Sequence, residues 1–363
     1  MSTKMDFYSL ELQHKVMILE GVIGRGKYIG GVSDGMCGEI YIFDQGEGVS
    51  PRYICAKLPK LLANVPPADI AQRFVAEMDK QLSFYHHMFV HWAFDFKSVM
   101  QVPVALFRYW GSDLDKLIRT CNSSIVEKLS IMLYITEGLR HCQAKGLVSH
   151  QDLKPHNIFL RVMKPNYPDL PDFDIYKFPM IADFGLSNAF LDSGIYGGSR
   201  PYMAPEQWRE TNLSPATDIF ALGVIFYQLL TNGYHPVGIK LDEHWPSPAP
   251  GNGKKWIRPD AWKKWACNGA DIIEIDASAQ LLPESISLIK QMLSCEAGDR
   301  PDTEIVINTL LNLIRQFSYE SYEQIAFLKE YFKSKVTNES LESTWPYLSE
   351  RWEWFKSEFG KPA

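Results

Sequence analysis

The sequence lacks the features that mark several large classes of protein. Its six cysteines form no Cys-x-x-Cys pair, which argues against a zinc ribbon or a thioredoxin-like redox site. The best apolar run, Ile219 to Leu230, is shorter than the roughly 20 residues of a membrane-spanning helix, so we predict a buried helix there. The first residues carry charges where a secretory signal has an apolar segment. We therefore expect a cytoplasmic protein with reduced thiols and no membrane span.

The charge balance of the chain favours neither sign strongly. The 37 Lys and Arg and 43 Asp and Glu residues give a formal net charge of −6, whereas nucleic-acid-binding domains are usually basic. We therefore expect no nucleic-acid partner. Hydrophobic residues make up 46% of the 363 residues, an ordinary share that supports a sizeable core. A chain of this length fits two or three domains, or one large unit with two lobes.

The hydrophobic pattern changes about a third of the way along the chain. Up to about residue 110, glycine, β-branched and aromatic residues predict short strands, broken by a helix from Pro67 to about His87. Beyond Leu114 the apolar residues recur at helical spacing. Helices are predicted over residues 126–142, 219–230 and 285–293. Strands followed by helices predict an α+β fold with two lobes.

Proline-rich and aromatic stretches interrupt this pattern. Four prolines fall within each of the ranges 161–180 and 245–260, which we interpret as loops or inserts. The segment 254–265 mixes lysines with tryptophans. One interpretation is a docking patch for an acidic protein, an anionic membrane or nucleic acid. The other is a solvated helix whose tryptophans pack on the larger lobe, and we favour this packed helix. Residues 318–363 are likewise predicted to be a packed extension.

The most informative run is His150-Gln-Asp152-Leu-Lys154-Pro-His-Asn157. It places on one loop a carboxylate that can accept a hydroxyl proton, an ammonium that can neutralise a phosphoryl group, and an amide oxygen that can bind a cation. The run resembles the catalytic loop of the protein kinase family, His-Arg-Asp-x-Lys-x-x-Asn. Small-molecule phosphotransferases share a similar Asp-to-Asn spacing, so this run alone leaves both classes open.

A second run, Ile181-Ala-Asp183-Phe-Gly185, delivers a carboxylate from an apolar strand to a turn. It resembles the Asp-Phe-Gly motif of kinases. The resemblance implies that Asp183 binds a Mg²⁺ ion that bridges the ATP phosphates. Such a triplet alone is common, but here it follows the catalytic run in the order that the family uses.

A third run, Ala204-Pro-Glu206, resembles the end of a kinase activation segment. The resemblance implies that Glu206 pairs with a buried arginine, for which Arg300 fits. It also implies that Asp218, in an otherwise apolar helix, anchors the backbone of the catalytic loop. A carboxylate in such a helix would be costly without hydrogen bonds.

The first third of the chain contains candidates for holding ATP phosphates. Tyr53-Ile-Cys-Ala-Lys57 resembles the Val-Ala-Ile-Lys strand, which implies that Lys57 contacts the α- and β-phosphates. Glu77, in the predicted helix, is the expected ion-pair partner of Lys57.

The glycine-rich loop is irregular, because a serine stands at the first glycine of the run Ser-Asp-Gly35-Met-Cys-Gly38. We prefer Gly35 and Gly38 to the upstream Gly24 and Gly26, since Gly38 leaves room for one β-hairpin before the strand lysine. Glycines here would let backbone N–H groups approach phosphate oxygens.

Alignment with the family also predicts adenine contacts. The segment 106–113 resembles the hinge, where backbone groups near Arg108 and Tyr109 would meet the adenine edge. The side chains predicted to contact the adenine faces are Ile40, Ala56 and Phe159.

Together the motifs imply a bilobal protein-kinase fold that transfers the ATP γ-phosphate to serine or threonine of a protein substrate, with Mg²⁺. Asp152 would be the catalytic base, Lys154 would offset phosphate charge, and Asn157 and Asp183 would hold magnesium. Lysine at position 154 resembles the serine/threonine branch.

The resemblance also implies a division of the chain into lobes. A small β-rich N-lobe with an N-terminal extension is expected over residues 1–109. A larger α-helical C-lobe is expected over 110–317, and a C-terminal helical extension over 318–363. The sequence indicates no particular oligomeric state.

Two departures from the family pattern raise further expectations. Gln151 replaces the arginine that normally meets a phosphate on the activation segment, so we hypothesise that this segment needs no phosphorylation. Gln81 stands four residues after Glu77, where kinases usually have an apolar residue. This departure argues against either the assumed register of the helix or a constitutively aligned active state.

Other functions stay open at this point. A pseudokinase scaffold would not need the full set of catalytic residues that the chain carries. A small-molecule kinase would lack the Ala-Pro-Glu206 segment and the Arg300 partner. A module that transfers a nucleotide would be distinguished by the mass of its product.

Overall fold

The computed structural model divides the chain into two compact units. The first, here called the β unit, comprises Met1–His86, Trp92–Gly111 and Lys335–Ala363; the second, the helical unit, comprises His87–His91 and Ser112–Ser334. The residues described are 6–35, 38–62, 64–84, 87–120, 123–165, 167–241, 254–279, 281–335 and 347–360. Strands and helices are largely segregated along the chain, which confirms the α+β class.

The regular elements are numbered along the chain. The strands are β1 (Lys27–Gly35), β2 (Gly38–Asp44), β3 (Tyr53–Leu58), β4 (Ala93–Val99), β5 (Val102–Arg108), β6 (Ile158–Val162) and β7 (Lys177–Ile181). The helices are α1 (Leu12–Ile23), α2 (Pro67–Ser83), α3 (Leu114–Thr120), α4 (Ile125–Ala144), α5 (Ala189–Ser193), α6 (Pro205–Arg209), α7 (Pro215–Leu230), α8 (Pro259–Cys267), α9 (Asp276–Ala279), α10 (Pro283–Met292), α11 (Thr303–Phe317), α12 (Tyr319–Lys335) and α13 (Leu348–Phe359).

The β unit is built on an antiparallel sheet with strand order β1-β2-β3-β5-β4. Because successive side chains of a strand point to opposite faces, each face of the sheet has its own core. On one face, Ile54, Ala56 and Leu58 of β3 pack with Phe7 and Leu19 from the N-terminal segment. The N-terminal extension therefore covers one side of the sheet.

The opposite face of the sheet packs against α2 and α13. Phe74 and Met78 of α2 and Trp352 and Phe355 of α13 belong to one hydrophobic cluster, with Cys55 of β3 packed against it. Residues far apart in the sequence thus build a single layer on this face.

The helical unit is organised around α4 and α7, whose residues are largely buried. The predicted helix over residues 219–230 lies inside α7, and the prediction of a buried helix is confirmed. Within the described residues, no helix has both the length and the apolar character that a membrane crossing requires. The strands β6 and β7 form an antiparallel hairpin in this unit.

Two predicted loops differ from the structure. Residues 161–180 were expected to form a loop, but β6 and β7 extend into both ends of that range, with Pro179 paired in β7 opposite Leu160. Most of the range 245–260 lies outside the described residues. Lys254–Ile257 form a 3₁₀ helix and Pro259–Cys267 form α8. Trp262 is fully buried against Trp256, as the packed alternative predicted.

The C-terminal residues 318–363 do not form one separate body. The part of the chain up to Ser334, which includes nearly all of α12, belongs to the helical unit, whereas Lys335–Ala363, with α13, belongs to the β unit. The physical reason is the burial of Trp352 and Phe355 in the core of the β unit.

Candidate active site

The backbone of the catalytic loop is anchored by Asp218 of α7. Its carboxylate accepts hydrogen bonds from the His150 N–H at 2.8 Å, the Gln151 N–H at 3.2 Å and the Ser149 Oγ at 3.1 Å. Asp218 is only 1% exposed. Burial raises the pKa of this carboxyl above its ordinary value, although the nearby His150 and the donors act in the opposite direction. The predicted anchoring role of Asp218 is confirmed by these contacts.

Three predicted residues of the loop meet at the Asp152 carboxylate. Lys154 Nζ donates to Asp152 Oδ2 at 2.8 Å, and the Ser199 N–H donates to Asp152 Oδ1 at 2.7 Å. Lys154 Nζ also donates to Ser199 Oγ at 2.9 Å. Asn157 Nδ2 donates to the Asp152 backbone oxygen at 2.9 Å and to Asp152 Oδ2 at 3.3 Å. The loop and the activation segment together fix the orientation of this carboxylate.

The β6–β7 hairpin brings the positions of Asn157 and Asp183 to the same end. Ile158 pairs with Ile181, and the Ala182 N–H donates to the Asn157 backbone oxygen at 2.9 Å. Because Asn157 uses its amide nitrogen on the loop, its side-chain oxygen is the atom left for a ligand. An amide oxygen and a carboxylate are ligands that Mg²⁺ prefers, so the chemistry of this pair fits the predicted ion.

Asp183 adopts an unusual backbone conformation. Its φ is 62° and its ψ is 66°, in the left-handed region, which is uncommon for a residue with a side chain. The segment is held on both sides: His150 Nε2 lies 3.1 Å from the Ala182 oxygen, and the His150 ring packs on Phe184 with centroids 4.9 Å apart. Strained residues of this kind cluster at functional sites.

Phe159, predicted to contact adenine, lies in β6 opposite Met180 and is half-buried. Its ring packs edge-on against His91, with centroids 4.9 Å apart. An isolated bridge joins its backbone to Asp113. Phe159 therefore lies on the β6–β7 hairpin, on the strand that begins directly after Asn157.

The predicted partner of Glu206 is Arg300. The guanidinium donates to both carboxylate oxygens, at 2.7 and 2.8 Å, and Thr217 Oγ1 adds a third bond to Glu206 Oε1 at 2.8 Å. Burial alone would raise the pKa of Glu206, but the hydrogen bonds and charge of Arg300 hold it below its ordinary value. A bidentate pair of this kind ties the end of the activation segment to the rest of the helical unit, near the start of α11.

The β unit holds predicted site residues of its own. Lys57 Nζ on β3 forms an ion pair with Glu77 Oε1 on α2, and both side chains are mostly buried. This contact confirms the predicted partner and the register of α2. Gln81, one turn further on, is buried on the same helix.

The two preferred glycines lie at the turn of the β1–β2 hairpin. Gly35 pairs with Gly38 across the hairpin, and residues 36–37 between them lie outside the described residues. Gly38 has a φ of 144°, and an added Cβ would lie 2.3 Å from the Leu58 backbone oxygen. Only glycine fits there. The upstream Gly24 instead ends α1 in a left-handed conformation, which removes it as a candidate.

A comparison with protein families now bears on this geometry. The profile of the protein kinase domain family matches residues 68–311, which is more than half of the chain.

The chain belongs to the protein kinase domain family.

Individual relatives cover shorter parts of the chain. It is 32% identical over 163 residues to calcium/calmodulin-dependent protein kinase type I of Schizosaccharomyces pombe, covering 43% of this chain and 45% of that protein. It is 32% identical over 172 residues to serine/threonine-protein kinase Pkn1 of Myxococcus xanthus, covering 45% of this chain and 23% of that protein. It is 29% identical over 209 residues to the sensor for unfolded proteins in the ER ire1 of S. pombe, covering 50% of this chain and 17% of that protein.

These matches span less than half the length of each relative. The family match also begins downstream of Gly35, Gly38 and Lys57. For these three residues, the support for a role in the site comes from the geometry of the β unit alone.

One adenine contact predicted from the kinase pattern is wrong. Ala56 pairs with Tyr41 and is buried in the core shared with the N-terminal segment, on the face of the sheet opposite to Lys57. Residues that share a face alternate along a strand, so the neighbour of Lys57 on its own face is Cys55. Ile40 lies directly opposite Lys57 and shares its face, as required.

The predicted hinge contacts need one adjustment. Arg108 is the last residue of β5 and pairs with Ile54. The Tyr109 N–H donates to the Tyr53 backbone oxygen at 2.9 Å. That donor is used within the sheet, so Tyr109 cannot offer its N–H to the adenine edge.

Sequence reasoning missed Gln207, which fixes the activation segment of this kinase domain. Its Nε2 donates to the Gln151 backbone oxygen at 2.9 Å and to the Gly197 oxygen at 2.8 Å. Its Oε1 accepts the Ala204 N–H at 3.0 Å. In the sequence, only its position directly after the Ala-Pro-Glu motif could have indicated this role for Gln207.

Proposed function

We propose that this protein kinase domain catalyses the Mg²⁺-dependent transfer of the ATP γ-phosphate to serine or threonine hydroxyls of protein substrates. The observation that carries the proposal is the hydrogen-bonded group of Asp152, Lys154 and Ser199. It places a candidate base, a cation and the activation segment in direct contact. As part of the proposal we assign the protein to the cytosol, on the sparse spacing of its cysteines.

The chain's own residues would divide the work as follows. Asp152 orients the substrate hydroxyl and accepts its proton. Lys154 neutralises charge that develops on the transferred group. Asn157 and Asp183 would hold magnesium, and Lys57, paired with Glu77, would hold the α- and β-phosphates. Bound Mg²⁺–ATP supplies the phosphoryl group and the compensating positive charge.

Specificity for serine or threonine is supported by Lys154 and its contact with Ser199. Two of the relatives are named as serine/threonine or calcium/calmodulin-dependent kinases. Catalysis of this type depends on positioning and electrostatics more than on covalent chemistry. The fixed Asp152 carboxylate meets that requirement.

The test is phosphoryl transfer from radiolabelled ATP to mixed protein substrates with Mg²⁺. The matched control is Asp152→Asn, which keeps an oxygen for the Ser199 N–H but cannot take up a proton. We expect the wild type to label protein and the variant to lose about 10²- to 10⁴-fold in rate. A wild type that transfers no phosphate would favour a pseudokinase scaffold. Labelling of a sugar or antibiotic instead of protein would favour a small-molecule phosphotransferase.

A further inference from the structure

The C-terminal helix α13 covers part of the face of the sheet that carries Lys57. Phe355 is fully buried and Trp352 is 8% exposed. The Phe355 ring lies 4.8 Å from that of Phe96 on β4 and 6.4 Å from that of Phe74 on α2, between centroids. The Trp352 ring lies 4.9 Å from that of Phe96. The helix therefore joins α2 to the sheet.

The residues of α2 that meet this cluster lie beside Glu77. Phe74 precedes Glu77 by three residues and Met78 follows it directly, and both belong to the cluster that contains Trp352 and Phe355. Residues three or four apart lie on neighbouring positions of a helix surface. A shift or rotation of α2 in this cluster would move the Glu77 carboxylate together with Phe74.

The start of α2 has no capping side chain. Its N-cap residue is Pro66, which makes no side-chain hydrogen bond to the helix. An N-cap side chain normally satisfies one of the first backbone N–H groups. The apolar contacts of its buried face therefore contribute to the position of α2 without the help of a capping side chain.

We propose that α13 is a positioning element of the nucleotide-binding apparatus, with Trp352 and Phe355 holding α2 so that Glu77 stays paired with Lys57. The inference rests on the proposed function, because it gives the ion pair a role in binding ATP. It makes α13 a positioning device that lies outside the segment matched by the kinase family, residues 68–311. Its residues act through Glu77 and touch neither ATP nor substrate.

The test compares the double variant Trp352→Ala/Phe355→Ala with Trp354→Ala. Trp354 is an aromatic residue of the same helix that is 38% exposed and lies outside the cluster with α2. We expect the double variant to lose between about tenfold and 100-fold in kcat/KM for ATP, as small misplacements of reacting groups do. The control should stay within about twofold of the wild type.

A double-mutant cycle with Glu77→Gln separates positioning from general stability. If α13 acts through Glu77, combining Glu77→Gln with the double variant adds little further loss. A synthetic peptide of residues 347–360, added in trans, should restore activity to the double variant, whereas the same peptide with both alanines should not. Losses that multiply in the cycle, or a double variant with unchanged kinetics, would overturn the proposal.

Nucleotide binding provides a readout that does not need turnover. The rise in melting temperature on addition of Mg²⁺–ATP should shrink in the double variant and persist in Trp354→Ala. If the wild type binds ATP but transfers no phosphate, the proposed function fails while this comparison still decides the role of α13. An equal rise in all three proteins would refute that role.

Discussion

The two units hold their candidate site residues by different physical means. In the helical unit, buried hydrogen bonds that the Asp218 carboxylate accepts fix the catalytic loop, and Arg300 fixes the activation segment through Glu206. In the β unit, Glu77 of the Lys57–Glu77 pair lies on a helix whose buried face packs in an apolar cluster. Directional polar bonds define one geometry, whereas apolar contacts define a position that any well-fitting neighbour can support. In the β unit, a segment that packs on α2 can therefore influence the Lys57–Glu77 pair.

The largest expected loss of stability comes from breaking a buried polar contact of the helical unit. Replacing Arg300 by alanine leaves the Glu206 carboxylate buried without its main partner. Breaking a buried pair in this way costs about 3–5 kcal/mol of unfolding free energy. Denaturant unfolding measures the loss.

Arg119→Ala is the matched control for Arg300→Ala. It removes a partly exposed ion pair with Asp115 on α3, and exposed pairs of this type contribute about 0.2–1 kcal/mol. Equal losses in Arg119→Ala and Arg300→Ala would contradict the account of a buried anchor.

A second polar contact makes stability depend on pH. His235 is fully buried, its Nδ1 accepts the Val237 N–H, and its Nε2 lies 2.9 Å from the Pro201 oxygen. Burial lowers the pKa of His235 to about 3, against 6.5 for an exposed imidazole. Below pH 6.5 the unfolded chain takes up a proton that the folded chain refuses. Stability is therefore fully present above pH 6.5 and is lost as pH falls toward 3.

At pH 5 this single group should cost about 2 kcal/mol relative to pH 7. Unfolding free energies of the wild type and His235→Gln at both pH values measure it. The variant has no imidazole and should lose correspondingly less stability. Identical pH dependence in both proteins would show that His235 is not the group responsible.

The third prediction tests which face of β3 carries the nucleotide-binding side chains. Ala56→Val adds volume to a closed core and should cost about 1–3 kcal/mol of unfolding free energy, with little change in the KM for ATP of the folded protein. Cys55→Val changes the face that carries Lys57 and should alter the KM for ATP with a smaller effect on stability. Kinetics and denaturant unfolding of both variants check the assignment. The reverse pattern would restore Ala56 as the contact.

The smallest expected effect concerns phosphorylation of the activation segment. Gln151 Nε2 donates to the Leu186 oxygen at 2.8 Å and to the Ile195 oxygen at 3.2 Å. These two neutral hydrogen bonds hold the activation segment. The arginine that the family usually has at this position would hold it through a phosphate group. We expect phosphatase treatment to change the kinase activity by less than about twofold. A large loss that returns on rephosphorylation would contradict this hypothesis.

The sequence predicted the helical-unit part of the site because its chemistry lies in short runs. Asp152, Lys154 and Asn157 share one loop, and the partner of Glu206 could be inferred because the family pattern places an arginine near position 300. The pairing of Lys57 with Glu77 was predicted in the same way. Each of these contacts is confirmed by the geometry.

The remaining features depend on packing that no local motif encodes. Ala56 was assigned to the wrong face because the strand motif was matched by residue type, without counting alternate positions from Lys57. The docking of α13 could not be predicted, since its partners on α2 and β4 lie more than 200 residues away in the sequence. Periodicity shows that a helix has an apolar face, but not which surface that face covers.

The most direct measurement is mass spectrometry of protein substrates after incubation with Mg²⁺–ATP and either the wild-type protein or Asp152→Asn. The account predicts new phosphoryl groups on serine and threonine with the wild type and their absence with the variant. Identical products from both proteins, modification confined to tyrosine, or an adduct of nucleotide size would contradict it.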